Sequence, residues 1–171
     1  MSVRELHLRA GGVGVRCLAA GEGEPAAVLL HGASLDCADL SFGHLIGPLS
    51  GRRRVYAPDW PGYGGSERPP EAAYDLAYYE RFLERLLDAL GLERADLVGL
   101  SLGGGVALSL ALREPRRVRR LVLAGSYGLG RRVPWGPLGA ALGRSALAAR
   151  LAYGLIRRSR PALRLGLRNV V

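Results

Sequence analysis

A serine flanked by glycines is the residue of this sequence best suited to covalent chemistry. It lies in the run Gly99-Leu100-Ser101-Leu102-Gly103, which has the pattern G-x-S-x-G. An apolar strand is predicted to end at Gly99 and an apolar helix to begin after Ser101, so the serine falls at a sharp strand-to-helix turn. Such a turn strains the serine backbone, and glycines two positions away on either side avoid clashes. The hydroxyl is then exposed beside a helix N-terminus, where developing negative charge is stabilised.

The alternative interpretation of this run is a glycine-rich turn with an incidental serine, but the flanking strand and helix favour a nucleophile. A second element, His31-Gly32-Ala33, follows an earlier buried strand and could direct a backbone N–H into the same crevice. The N–H groups of Ala33 and Leu102 could together bind an oxyanion. A purely structural turn explains this element equally well. The side chain of His31 precedes the turn, so we expect it to be structural and not a general base.

Alternating strands and helices supply the framework for these residues. In chain order, the pattern predicts a hairpin of strands 3–8 and 13–19, a strand 27–30, a helix 39–49, a strand 54–57, a helix 76–90, a strand 97–99, a helix 102–113 and a strand 121–124. Asp75 and Gly91 are the expected N-cap and stop of the clearest helix. Alternation from residue 27 to 124 is typical of right-handed crossovers. We therefore predict an α/β fold with a doubly wound, mostly parallel sheet.

Several motifs, in this order and spacing, resemble those of the α/β-hydrolase fold family, in its cap-bearing branch with a serine nucleophile. Besides the strand ending in His31-Gly32, the run 59–66 looks like the family's D-x-P-G-x-G-x-S loop, which shapes the site and is mostly structural. Residues 99–104 look like its G-x-S-x-G-G elbow, and residues 116–124 resemble its strand six. The resemblance covers residues 1–130 as the N-terminal part of the core. Residues 131–171 fit the beginning of a helical cap.

The resemblance implies a role for each matching residue. Ser101 would be the nucleophile, and the backbone N–H groups of Ala33 and Leu102 would form the oxyanion hole. The implied reaction is acyl transfer from a small-molecule carbonyl substrate to water, with an ester, lactone, amide or C–C bond next to a carbonyl as the bond cleaved. The resemblance implies no metal and no organic cofactor. Haloalkane dehalogenases resemble this chain too, but they use Asp at the position of Ser101.

The sequence departs from the family in its triad, whose chain order is Ser, then Asp or Glu, then His. Its three histidines, His7, His31 and His44, all precede Ser101, and the only later carboxylate is Glu114. Without a base the serine hydroxyl is a weak nucleophile, so we expect the 171-residue chain to be inactive as given. We expect it to be a fragment whose downstream sequence supplies the carboxylate and then the histidine.

A non-catalytic protein that binds a small molecule in the same pocket is the main alternative to a fragment. A truncated reading frame or a degenerate hydrolase would also lack the base. A chain that lost catalysis early would be free to lose Ser101 and its two flanking glycines, yet all three are present.

The basic residues suggest a further alternative, because the net charge is +9 and every one of the 24 basic residues is Arg. The absence of Lys excludes a G-x-x-x-x-G-K-[ST] phosphate loop and a Schiff base. Residues 1–112 hold 10 Arg and 14 acidic residues, whereas residues 113–171 hold 14 Arg and one acidic residue. Such asymmetry can mark a tail that binds nucleic acid or membranes. Solvated helix faces of a Lys-free chain explain it better, and aromatic residues for base stacking are scarce, so we predict no specific nucleic-acid binding.

Cysteine usage and hydropathy complete the sequence-based expectations. The two cysteines, Cys17 and Cys37, and the three histidines lack metal-ligand spacing, so no structural zinc site is predicted. Unpatterned thiols fit a reducing compartment, and neither a signal peptide nor a transmembrane segment is recognisable. We therefore predict a cytoplasmic protein. The oligomeric state and the substrate are not predicted.

Overall fold

A six-stranded sheet runs through residues 2–130, the part of the chain that the computed structural model describes. Its strands are β1 (Arg4–Ala10), β2 (Val13–Ala20), β3 (Ala27–Leu30), β4 (Val55–Pro58), β5 (Ala95–Leu100) and β6 (Val118–Ala124), in the spatial order β1-β2-β4-β3-β5-β6. The β1–β2 and β2–β4 pairs are antiparallel, while β4, β3, β5 and β6 are parallel. The predicted α/β class and mostly parallel sheet are confirmed.

Three α-helices cover the two faces of this sheet: α1 (Ala38–Ser50), α2 (Leu76–Ala89) and α3 (Leu102–Arg113). A short 3-10 turn, Pro115–Arg117, leads into β6. The predicted N-cap of α2 is confirmed, since the Asp75 carboxylate accepts the N–H of Tyr78 at 2.8 Å. All three helices lie within one residue of their predicted bounds at each end.

The hydrophobic core divides into two clusters because β3 is buried on both faces. Val28 and Leu30 pack in the cluster that includes residues of α2 and α3, whereas Leu29 packs in the cluster that includes α1. All four residues of β3 are buried, which is why this strand reads as a continuous apolar run. The carboxyl end of β3 is thus held in place by packing on both faces of the sheet.

The strands β5 and β6 begin earlier than the sequence pattern predicts, because polar residues interrupt their apolar runs. β5 begins at Ala95 and includes Asp96, and β6 begins at Val118 and includes Arg119. The Asp96 carboxylate accepts hydrogen bonds from the Nε of Arg119 at 2.7 Å and from the Nη1 of Arg53 at 2.7 Å. Paired charges at a sheet terminus are compatible with burial, so a polar residue there does not end the strand.

Residues 131–171, predicted to begin a helical cap, lie outside the described residues. Within residues 2–130, none of the helices has the length and apolar character needed to span a bilayer.

Candidate active site

Ser101 occupies the junction between β5 and α3 in a backbone conformation that is unusual for a non-glycine residue. Its φ is +50° and its ψ is −111°, and the residue is exposed. Its N–H donates to the carbonyl of Ala124 at 3.0 Å, and its carbonyl accepts the N–H groups of Gly105 at 3.1 Å and Tyr127 at 2.9 Å. Because these bonds tie it to the end of β6 and to α3, the strained conformation is held by its surroundings.

Glycines around Ser101 let the first turn of α3 lie directly against two strand ends. A Cβ built on Gly99 would lie 2.5 Å from the Cα of Gly104. One built on Gly103 would overlap the carbonyl oxygen of Leu30 at the end of β3. Both clashes are with backbone, which cannot rotate away as a side chain would. The steric reason for glycine in the G-x-S-x-G run is therefore visible in the structure.

The predicted second element, residues 31–33, lies beside the serine. A Cβ built on Gly32 would lie 3.4 Å from the Cβ of Ser101. Ala33 follows in an exposed turn, and Leu102 is the first residue of α3. The fold thus brings the two predicted segments together at the carboxyl edge of the parallel strands, where α/β proteins bind their ligands.

The His31 side chain is fully buried and has both ring nitrogens engaged. Its Nε2 accepts the backbone N–H of Trp60 at 3.1 Å, so its Nδ1 carries the proton and donates to the carbonyl of Gly32 at 2.8 Å. The indole Nε1 of Trp60 donates in turn to the carbonyl of His31 at 2.9 Å. Burial lowers the pKa of His31 below its ordinary value. A neutral imidazole with no free lone pair joins two loops and cannot take a proton from Ser101.

The other two histidines are exposed and lie on β1 and α1. His7 pairs with Glu5 at 2.8 Å, and His44 lies in the middle of α1. Neither ring forms a hydrogen bond with the Ser101 hydroxyl. The general base that an acyl-transfer reaction needs is therefore not among these histidines.

Asp59 organises the loop that follows β4, in the run 59–66 predicted to be structural. Its carboxylate is fully buried and accepts the N–H of Ala38 at 2.8 Å, the N–H of Gly65 at 2.9 Å and the Nη1 of Arg16 at 3.0 Å. A Cβ on Gly64, whose φ is +50°, would overlap this carboxylate. One buried carboxylate therefore joins β2, the start of α1 and the loop of residues 59–66.

Asp36 is a residue of this region that the sequence pattern did not single out. Its carboxylate accepts the N–H of Gly32 and the N–H of Cys37, each at 2.8 Å, and the hydroxyl of Ser41, also at 2.8 Å. Asp36 lies three residues before the predicted start of a helix at residue 39, outside the N-cap position, so the sequence gives it no specific capping signal. The sequence does not show that the same carboxylate reaches back to Gly32.

Three of the arginines near β6 are paired with acidic residues from neighbouring elements. Arg113 contacts Glu80 at 2.9 Å, and Arg117 contacts Asp88 at 2.8 Å. Arg119 pairs with Asp96, as described above. Each of these pairs offsets one positive charge that could otherwise contact a phosphate backbone. Within residues 2–130, no three His, Cys, Asp or Glu side chains cluster in a way that could hold a metal ion.

The sequence model of the α/β hydrolase fold matches residues 25–145, which include β3, the loop after β4 and the Ser101 turn. The chain belongs to the α/β-hydrolase fold family. It is 48% identical over 109 residues to a 2-hydroxymuconate semialdehyde hydrolase of Pseudomonas putida, covering 64% of this chain and 38% of the relative. It is 42% identical over 121 residues to a 2-hydroxy-6-oxo-2,4-heptadienoate hydrolase of P. putida, covering 70% and 44%.

Among solved structures, a mutant meta-cleavage product hydrolase from Pseudomonas fluorescens IP01 superimposes with a TM-score of 0.73 at 35% identity. The match covers 82% of this chain and 51% of that protein. The chain thus spans less than half of the two curated relatives and about half of this structure. The similarity agrees with the family resemblance inferred from the motifs.

The contact between Gly103 and Leu30 predicts a sharp difference between two helical glycines. Gly103→Ala should lower the free energy of unfolding by about 1–3 kcal/mol, because the added methyl group meets backbone. Gly43→Ala, at an exposed position of α1 with no atom within 4 Å of the new Cβ, should raise it by about 0.5–1 kcal/mol. Urea unfolding followed by circular dichroism measures both. Equal effects of the two substitutions would contradict the close packing described for α3.

The depressed pKa of His31 predicts a pH dependence of stability. As the pH falls below about 6.5, the unfolded chain binds a proton at this residue before the folded chain does. Stability should therefore be full above that pH and fall below it, by up to about 1.4 kcal/mol per pH unit. The measurement is urea unfolding between pH 7.5 and 5.5. His31→Gln should flatten this slope, whereas His44→Gln, which alters an exposed ring, should keep it. A slope that survives His31→Gln would assign the effect to another group.

Proposed function

We propose that this protein is a serine hydrolase that cleaves a bond next to a carbonyl group in a small molecule, with Ser101 as the nucleophile. The observation that carries the proposal is the conformation of Ser101, exposed at φ +50° between β5 and α3. A strained backbone at a strand-to-helix turn persists when its surroundings enforce it, and such strain concentrates at functional sites. Family membership supports the same role.

The proposed oxyanion hole consists of the backbone N–H groups of Ala33 and Leu102. When the Ser101 Oγ attacks a carbonyl carbon, the carbonyl oxygen gains negative charge and needs donors already in place. Leu102 begins α3, so its N–H is free of a helical partner and lies at the positive end of the helix dipole. Ala33 follows Gly32, whose position beside Ser101 supports a second donor from this turn.

The relatives favour one of the bond types that acyl transfer could cleave. Their names describe oxo- or semialdehyde dienoates, which contain no ester or amide. Hydrolysis of such a molecule must therefore break a C–C bond next to its carbonyl carbon. We propose an unsaturated oxo-acid as the substrate class for this protein and hydrolytic C–C cleavage as its reaction.

The general base and its carboxylate partner are expected in residues outside this 171-residue chain. This assignment is supported by the engaged ring of His31 and by the exposed positions of the other two histidines. Residues 131–171, which lie outside the described part of the chain, are proposed to begin a cap. The competing function is a non-catalytic binding protein, and the next experiment separates the two.

We expect the 171-residue chain to show negligible turnover of a p-nitrophenyl ester, because no histidine can accept the Ser101 proton. The measurement is release of p-nitrophenolate at neutral pH, with Ser101→Ala as the control. Turnover at the rate of a competent esterase that Ser101→Ala abolishes would contradict the absence of a base.

The same chain should nevertheless react at Ser101 with an aryl alkylphosphonate in alkaline buffer. The Oγ attacks phosphorus, the aryloxide leaves with the bonding electron pair, and hydroxide takes the serine proton. Enzymes without their triad keep roughly 10³–10⁴-fold of catalysis from the oxyanion hole and binding, so Ser101 should react ahead of the other serines. Peptide mass spectrometry locates the adduct. Labelling without preference for Ser101 would favour the binding protein.

A further inference from the structure

We propose that Asp36 is a positioning residue for the oxyanion hole. Its carboxylate holds the loop of residues 32–37 in the shape that presents the Ala33 N–H to the substrate. This inference rests on the proposed function, because the Ala33 N–H has a catalytic role only if Ser101 attacks a carbonyl carbon. Neither the sequence motifs nor the comparisons assign Asp36 a role.

The Asp36 carboxylate closes the loop onto its own beginning. Oδ2 accepts the N–H of Gly32 and Oδ1 accepts the N–H of Cys37, each at 2.8 Å. The hydroxyl of Ser41, in the first turns of α1, lies 2.8 Å from both oxygens. The side chain of Asp36 is only 16% exposed. One end of the loop is thereby fixed to the other, and both are fixed to a helix whose apolar face is buried.

The carboxylate also lies close to the nucleophile, on the far side of Gly32. A Cβ built on Gly32 would lie 3.1 Å from the Oδ2 of Asp36 and 3.4 Å from the Cβ of Ser101. The peptide group that Asp36 holds is the one directly before the proposed donor peptide of Ala33. A shift of this anchor therefore displaces the proposed donor relative to Ser101.

The loop needs such an anchor because its backbone is not relaxed. Ser34 has a φ of +76°, a value that non-glycine residues rarely adopt. Ala33, Ser34 and Leu35 are all exposed, so packing does not fix their conformation. The hydrogen bonds of Asp36 join the beginning of this turn to its end. Polar anchoring takes the place here of side-chain burial.

Charge and geometry make opposite predictions for the removal of this carboxylate. A negative charge so near the oxyanion opposes its formation, so neutralisation alone would speed attack by Ser101. The positioning role predicts instead that loss of the carboxylate slows attack by Ser101. Both carboxylate oxygens face N–H donors, so in Asp36→Asn the amide NH₂ must face one of them. That repulsion opens the loop, and the sign of the rate change therefore discriminates between the two effects.

The closing experiment measures phosphonylation of Ser101 in the 171-residue chain over a range of aryl alkylphosphonate concentrations. Asp36→Asn should lower the maximal rate constant by about tenfold or more, because a misplaced oxyanion donor loses transition-state stabilisation. The half-saturating concentration should stay within about twofold, because positioning acts after the reagent binds. A role in folding alone would change neither value in the folded protein.

Asp39→Asn is the matched control, since it neutralises a nearby carboxylate that pairs with Arg16 at 2.6 Å and does not touch the loop. Its maximal rate constant should stay within about twofold of the parent chain. Ser41→Ala removes the hydroxyl and keeps both backbone contacts of Asp36. It therefore replaces Asp36→Asn as the test variant if Asp36→Asn does not fold. It should lower the rate constant severalfold.

An unchanged or increased rate constant in the folded Asp36→Asn chain would overturn the positioning role and leave the proposed function standing. If Asp36→Asn is unfolded, an unchanged rate constant in Ser41→Ala would overturn the positioning role and leave the proposed function standing. A parent chain that shows no preference for Ser101 would instead contradict the proposed function, and the role of Asp36 would fall with it.

Discussion

The first turn of α3 lies directly against the backbone at the end of β3, and the candidate site depends on this contact. Gly103 meets the carbonyl of Leu30, and Gly99 meets Gly104. With a side chain at either glycine, α3 would have to move away from the sheet. The turn at Ser101 would then open, and Gly32 would no longer lie beside the serine. Exposure of the hydroxyl, the direction of the helix N-terminus and the neighbourhood of the 31–33 turn therefore follow from one close approach of two backbones.

Buried polar groups hold the loops around this contact, and each has its partners in place. Asp59 joins Arg16, Ala38 and the loop after β4, while His31 and Trp60 exchange hydrogen bonds between two loops. Polar groups that are buried and satisfied fix a single arrangement, because any alternative leaves one of them unpaired. The loops of the site are therefore held by polar contacts, although the sheet beneath them is held by apolar packing.

The sequence predicts the order of the elements well because the apolar patterns that define them are local. The clearest example is α2, whose buried residues recur at helical spacing and whose N-cap is Asp75. The turn at Ser101 is also predictable, since strand, glycines and helix lie within a few residues. Contacts between segments that are distant in the sequence are not predictable in this way. Nothing local links Asp59 to Ala38, and Asp96 falls outside the strand pattern until Arg119 is seen beside it. The contact between Asp36 and Gly32 spans only four residues, but it depends on the conformation of a loop that no apolar pattern describes.

A crystal structure of the chain with the phosphonate bound to Ser101 would show whether the strained turn and the 31–33 loop form one reaction site. The phosphoryl oxygen takes the place of the oxyanion, so it should lie about 2.7–3.2 Å from the backbone nitrogens of both Ala33 and Leu102. A phosphoryl oxygen that points to solvent and contacts neither nitrogen would contradict the assignment of the oxyanion hole. An adduct on a different serine would contradict the assignment of the nucleophile.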